Sequence, residues 1–129
     1  MERKFRKAEK LRSHKRVEQL FDKGYSLQVK KLRVYWLRTY DNDPFPVKVI
    51  LTVSKKKFRR AIHRNLVRRR MREAYRILKP ALYTFMQRRS ITIDLAIIYT
   101  GDPIPTYADI RDNMEQIINR IRMYYEESD

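Results

Sequence analysis

Residues 53–76 read Val53-Ser54-Lys55-Lys56-Lys57-Phe58-Arg59-Arg60-Ala61-Ile62-His63-Arg64-Asn65-Leu66-Val67-Arg68-Arg69-Arg70-Met71-Arg72-Glu73-Ala74-Tyr75-Arg76. Val67, Met71, Ala74 and Leu78 recur at steps of four, three and four, the spacing of one buried helical stripe. Asn65, Arg68, Arg72 and Arg76 recur at three, four and four and form a second face beside it, flanked by Arg64 and Arg69. The pattern predicts a helix from about Arg59 to Leu78, ended by Pro80, because a proline disfavours helical backbone at the residue before it. One side of this helix must pack, and another projects a ladder of guanidinium groups.

β-pattern flanks the helix on both sides. Val47 to Val53 is a dense β-branched run, apolar on both faces, and reads as a central strand. Before it, Leu32, Val34 and Trp36 alternate with Arg33, Tyr35 and Leu37 in another strand. Asp41-Asn42-Asp43-Pro44 supplies a turn, so residues 32–40 and 47–54 are expected to pair as a hairpin. After the helix, Ala81 to Gln87 allows a short helical turn, and Ile91 to Tyr99 is a strand closed by Thr100-Gly101-Asp102-Pro103. Tyr107, Ile110, Met114, Ile117, Ile118, Ile121 and Tyr125 mark a C-terminal amphipathic helix.

Near the start, Ser13 suits an N-cap, Val17, Leu20 and Phe21 follow at helical spacing, and Gly24 suits the residue just past the end. A short helix from about His14 to Lys23 follows from this. Residues 1–12 are expected to be a mobile or extended basic arm, and 13–129 a single RNA-binding domain. The element order is α-β-β-β-α-β-α, an α+β class whose natural arrangement is a small two-layer sandwich with helices against a sheet. Pattern alone leaves open whether the strands flanking the basic helix run parallel.

The charge points to the partner. The 129 residues carry 31 Lys and Arg against 15 Asp and Glu, a net of +16. Residues 1–16 hold eight basic and two acidic side chains, and residues 55–76 hold eleven basic and one acidic, Glu73. The remainder balances, so the whole surplus lies in two segments. Solvated surfaces usually mix signs, and segregation implies a directed field and a polyanionic partner. Like charges at i,i+4 destabilise a helix, so Arg64/Arg68, Arg68/Arg72 and Arg72/Arg76 are hard to explain without a polyanion. Guanidinium suits one, since it is always charged and its fork matches phosphate oxygens. Asn65 is a poor mid-helix residue, and its place in the arginine face suggests a directed hydrogen bond to RNA. Lys55, Lys56 and Lys57 either contact phosphates near the helix N-terminus or are simply exposed.

Several function classes are excluded or disfavoured. The chain has no cysteine, which removes disulfides, thiol catalysis and Cys-based zinc sites and fits a reducing, cytoplasmic setting. There is no apolar run of about 18 residues, so no membrane span is expected, and no secretory signal is expected because residues 1–16 lack an apolar core. The two histidines, His14 and His63, lie among basic residues and suit RNA contact or exposure better than general-base work. No Asp/Glu cluster is spaced for a metal; Asp109, Asp112 and Glu115 belong to the polar face of the last helix. No catalytic residue is therefore expected in the chain. A DNA-reading helix-turn-helix is disfavoured because the basic helix is flanked by strands.

The run Val53-Ser54-Lys55-Lys56, followed by Arg64-Asn65, Arg68-Arg69 and Arg72-Glu73, resembles the signature of the bacterial ribonuclease P protein family. Leu20-Phe21-Asp22-Lys23-Gly24, the strand around Leu32 to Leu37 and the closing helix resemble it too, so the likeness spans roughly residues 10–125. It implies a fold similar to a domain of the fifth protein of the small ribosomal subunit, with the motif helix in a left-handed crossover between parallel strands. It also implies an accessory subunit of an endoribonuclease. The partners would be a catalytic RNA and precursor tRNA, with no further protein required and no membrane. The RNA would hold Mg²⁺ and remove the 5′ leader in tRNA maturation, and the protein alone would bind no cofactor.

Carried over by position, the catalytic-RNA contacts are Arg64, Asn65, Arg68, Arg69 and Arg72, with Lys55 and Lys56 beside them. The cleft for the single-stranded leader comprises Val17, Phe21, Lys30 and Tyr35. An aromatic and basic groove suits single strands, because bases stack on rings while cations follow the backbone. Read without the family, Phe21 is equally a core residue of the first helix, whereas Tyr35 faces away from Leu32, Val34 and Trp36. The sequence departs from the family at Val17, where an aromatic is usual, at Arg68, where lysine is usual, and at Ile50 and the run 58–60, where glycines are common. The alternative is a ribosomal or other structural RNA-binding protein with no role in cleavage.

Overall fold

The computed structural model describes residues 5–41 and 43–128. Met1 to Lys4, at the head of the expected arm, and Asn42, in the expected turn, lie outside the described residues. After a single 3₁₀ turn at Lys7–Glu9 come α1 (His14–Lys23), β1 (Tyr25–Val29), β2 (Leu32–Thr39), β3 (Val47–Val53), α2 (Ala61–Arg88), β4 (Thr92–Tyr99) and α3 (Tyr107–Ser128). The α+β class and its order stand as the sequence implies, with three strands ahead of the basic helix.

The four strands form one sheet in the order β1-β2-β4-β3. β2 is antiparallel to both β1 and β4, and β3 is parallel to β4. The expected hairpin between 32–40 and 47–54 does not form. β4 inserts between the two, with Val34 opposite Ile97 on one side and Leu51 opposite Ile97 on the other. β2 instead makes its tight turn with β1 through Lys30-Lys31, where Lys30 adopts a left-handed φ of 55°. β3 is thus an edge strand rather than a central one. Its apolar character on both faces comes from packing on both sides of the sheet, while the N-terminal segment lies along its open edge, with a bridge from Lys10 to Val49 and Leu11 N–H donating to the Val49 carbonyl at 2.9 Å. Covering an edge in this way removes a template for aggregation.

Alternation along each strand divides the sheet into two faces. Val34, Trp36, Val47, Val49, Ile93, Leu95 and Ile97 meet Val67, Met71, Leu82 and Met86 of α2 and Ile110, Met114, Ile117 and Ile121 of α3 in the main core. The helix pair α2 and α3 covers this face of the sheet. On the other face α1 lays Leu20 and Val17 against Ala96, Tyr35, Leu37 and Ile50, together with Leu11. Ser13 caps α1 by accepting from Arg16 N–H. Gly24 ends it with an extended backbone, φ −70° and ψ 157°, not a left-handed one. Glycine is needed there because a Cβ would stand 2.4 Å from the Leu20 carbonyl oxygen.

Pro80 does not end the basic helix: α2 runs unbroken to Arg88. A proline inside a helix costs about 3 kcal/mol. Here Lys79, Leu82, Tyr83 and Met86 around it are all buried. Breaking the helix would strip those side chains from the core, where each large apolar group contributes about 1.5–3 kcal/mol. The residues expected as a separate helical turn are the last two turns of α2.

Candidate nucleic-acid interface

The first half of α2 buries Val67, Met71 and Ala74 and turns its basic residues outward, as the spacing implies. The structure then sorts those cations by what they touch. The Arg64 guanidinium folds back onto the preceding loop and donates to the carbonyls of Phe58 at 2.7 Å and Arg59 at 2.8 Å. Arg76 pairs with Glu73 at 2.7 Å, and Arg70 donates to the Pro105 carbonyl, tying α2 to the loop before α3. The Asn65 amide oxygen accepts from Arg68 at 2.8 Å, so its bond is within the helix and aims the Arg68 head. Among the described residues, Arg69 and Arg72 have no hydrogen-bond or ion-pair partner. The repulsion expected along the ladder is relieved at both ends and remains at Arg68, Arg69 and Arg72.

Lys55, Lys56 and Lys57 form an exposed turn between β3 and α2. Phe58 anchors it, buried and stacked on Tyr99 with ring centroids 6.0 Å apart. The first turn of α2 holds no acidic side chain, and Arg60 at the cap position supplies no side-chain bond. Unpaired N–H groups and lysines therefore share one end of the helix, an arrangement that favours phosphate.

On the opposite sheet face, Phe21 and Tyr35 meet edge to face with centroids 4.8 Å apart. Phe21 is 41 % exposed, so it is an open ring rather than a core residue. Val17 packs beside Tyr35 in the small core under α1. Lys30 does not join them. It sits at the β1–β2 turn, four residues beyond Ser26, the partner of Tyr35, or about 13 Å at strand rise. It lines a separate hollow with Tyr99, Pro103 and Asp109. The cation beside the aromatic pair is Arg33, 5.9 Å from the Tyr35 ring, which the family pattern did not suggest. Alternation along β2 could have found it, since Arg33 shares a face with Tyr35.

Arg16 fixes the root of α1. Its guanidinium grips Asp94 of β4 with both arms, Nε at 3.0 Å from Oδ2 and Nη2 on Oδ1. The bond to Asp94 raises the arginine pKa. Burial raises the Asp94 carboxyl as well, outweighing the arginine that favours its charge.

Of the expected mobile or extended arm, the structure describes residues 5–12. From Phe5 to Arg12 the chain is docked on the domain, and Glu9 is completely buried. The Glu9 carboxylate accepts from Lys79 Nζ at 2.6 Å and from Tyr83 O–H at 2.7 Å, and from Arg6 N–H at 2.6 Å. Tyr75 O–H lies 3.0 Å from the Tyr83 oxygen. Burial pushes both phenols up. This clamp sets Lys10 and Arg12 opposite Asn65, Arg68 and Arg72 across a groove of about 420 Å³. Local sequence patterns carry no trace of this juxtaposition.

Among the described residues no group of three His, Cys, Asp or Glu is placed to hold a metal ion. No helix among them is long and apolar enough to cross a membrane. A family model described as Ribonuclease P matches residues 5–122. The chain belongs to the ribonuclease P protein family. Its relatives in that family include the ribonuclease P protein component of Porphyromonas gingivalis, 31 % identical over 89 % of this chain and 84 % of that one. That of Chlorobium phaeobacteroides is 30 % identical over 92 % and 88 %. The fold is shared with the solved ribonuclease P proteins of Staphylococcus aureus and Thermotoga maritima. The first has a TM-score of 0.65 at 20 % identity, covering 89 % of this chain and 96 % of that one. The second has 0.63 at 20 %, covering 87 % and 96 %.

Proposed function

We propose that this chain is the protein subunit of a ribonuclease P ribonucleoprotein, docking on a catalytic RNA and holding the 5′ leader of precursor tRNA. The observation that carries this is the outward set Arg68, Arg69 and Arg72 on α2 of a family member, with two of the three unpartnered among the described residues. Asn65 orients Arg68, and Lys55 and Lys56 extend the contact past the helix start. Arg64 supports it by fixing the loop, and its remaining nitrogens take phosphate. The leader runs over Phe21 and Tyr35, where unstacked bases find ring faces, with Arg33 tracking the backbone.

On the family membership we assign Mg²⁺ and the cleavage chemistry to the RNA, and the chain to the cytoplasm. What the protein contributes is positioning: it screens phosphate repulsion between two RNAs and fixes where the leader leaves the tRNA. Reconstitution tests the proposal. The purified chain, its cognate catalytic RNA and a precursor tRNA are combined at low Mg²⁺, and 5′ leader removal is expected to accelerate. RNA binding without any acceleration would instead mark a structural RNA-binding protein.

A further inference from the structure

The groove between the N-terminal segment and α2 shares Arg68 and Arg72 with the surface assigned above and adds a second element to it. Its walls carry Lys10 and Arg12 on one side and Arg68 and Arg72 on the other, and no acidic residue lines it. Phe5, Leu11 and Ile50 supply apolar surface between those walls. The segment is preset: Leu11 N–H is bonded to Val49 and Glu9 is locked to Lys79. A wall held in place before binding loses little further freedom when a ligand arrives.

We propose that this groove receives one unpaired nucleotide of RNA, its flanking phosphates between Lys10 and Arg12 and Arg68 and Arg72, its base against Phe5, Leu11 and Ile50. The proposal rests on reading α2 as an RNA-binding helix, and it extends that surface to a second element. Four cations without an acid demand a polyanion. About 420 Å³ is the size of a small-molecule site, far too narrow for a duplex. An apolar lining is of use only to a base outside a stack, and in A-form RNA the bases face inward. The ligand is therefore a single-stranded stretch, a bulge or a loop.

The test compares the full chain with its Lys10→Gln/Arg12→Gln double variant. Fluorescence anisotropy follows binding to a short labelled oligouridylate and to a blunt RNA duplex of equal length, across a salt series. The log–log salt slope for the oligouridylate is expected to fall by about 1.4, about 0.7 for each of two lost phosphate contacts, with duplex binding unchanged. Arg12→Gln alone alters an exposed side chain and should lose about half of that. An equal loss for both RNAs, or an unchanged oligouridylate slope, overturns the groove. Stimulation of leader removal by the unaltered chain is measured separately, so failure of the subunit reading is not confused with failure of the groove.

Discussion

Replacing Lys79 by methionine tests the clamp that turns the N-terminal segment into part of the domain. Lys79 Nζ lies 2.6 Å from Glu9 Oε1, with the two side chains 2 % and 0 % exposed. Methionine keeps the length and most of the volume, so the change isolates charge. It leaves the Glu9 carboxylate buried without the Lys79 charge, still accepting from Tyr83 O–H and Arg6 N–H. Removing one partner of a buried pair costs about 3–5 kcal/mol, whereas replacing both by apolar groups is often neutral. At a urea slope of about 2 kcal/mol per molar, the midpoint should fall by roughly 1.5–2.5 M. The chain has a second way out, because the segment can leave the surface and hydrate Glu9 without global unfolding. Limited trypsin digestion measures that route, through faster cleavage after Lys10 and Arg12. Glu9→Leu/Lys79→Met should recover most of the midpoint. An unchanged urea midpoint together with unchanged protease resistance in Lys79→Met would refute the reasoning, since an unpaired buried carboxylate cannot be free of cost.

Four further outcomes are expected. Arg68→Ala should weaken binding to the catalytic RNA and flatten its log–log salt slope by about one unit for one phosphate contact, measured by filter binding across a salt series. Tyr35→Ala removes the partner of the Phe21 ring and should lower affinity for precursor tRNA while leaving mature tRNA unaffected. Burial raises the Asp94 carboxyl, so the native state holds its proton to higher pH than the unfolded chain. That contribution to stability is present at low pH and is lost as pH climbs from the usual carboxylate range through the raised value. Asp94→Asn should remove this decline from the profile of unfolding free energy against pH. Pro80→Ala restores a missing donor inside α2 and should raise stability by about 1–3 kcal/mol, read by thermal or urea unfolding.

The candidate site divides by how local its causes are. The faces of α2 were legible because a helix repeats every 3.6 residues, so Val67 and Met71 declare burial while Arg68 and Arg72 declare projection. Tyr35 was legible from strand alternation. Lys30 was misplaced because a positional likeness carries no distance: a two-residue turn puts it at the far end of β1 from Ser26, the residue that pairs with Tyr35. Arg64 was read as an RNA contact from the motif, and nothing local showed that its guanidinium also holds the preceding loop. Its carbonyl acceptors at Phe58 and Arg59 exist only once the loop is folded.

By itself, the sequence determined the α+β class, the order of elements, the two faces of the basic helix and the kind of partner those charges require. Each rests on periodicity or composition within a short window, where neighbouring residues share one backbone geometry. Tertiary structure alone decided that β4 separates β2 from β3, that α2 passes through Pro80, and that residues 5–12 pack on the domain. Those outcomes depend on contacts such as Glu9 with Lys79 and Arg16 with Asp94, 70 and 78 residues apart. Long-range pairs are selected by the summed burial of the whole chain, and no local pattern records that sum.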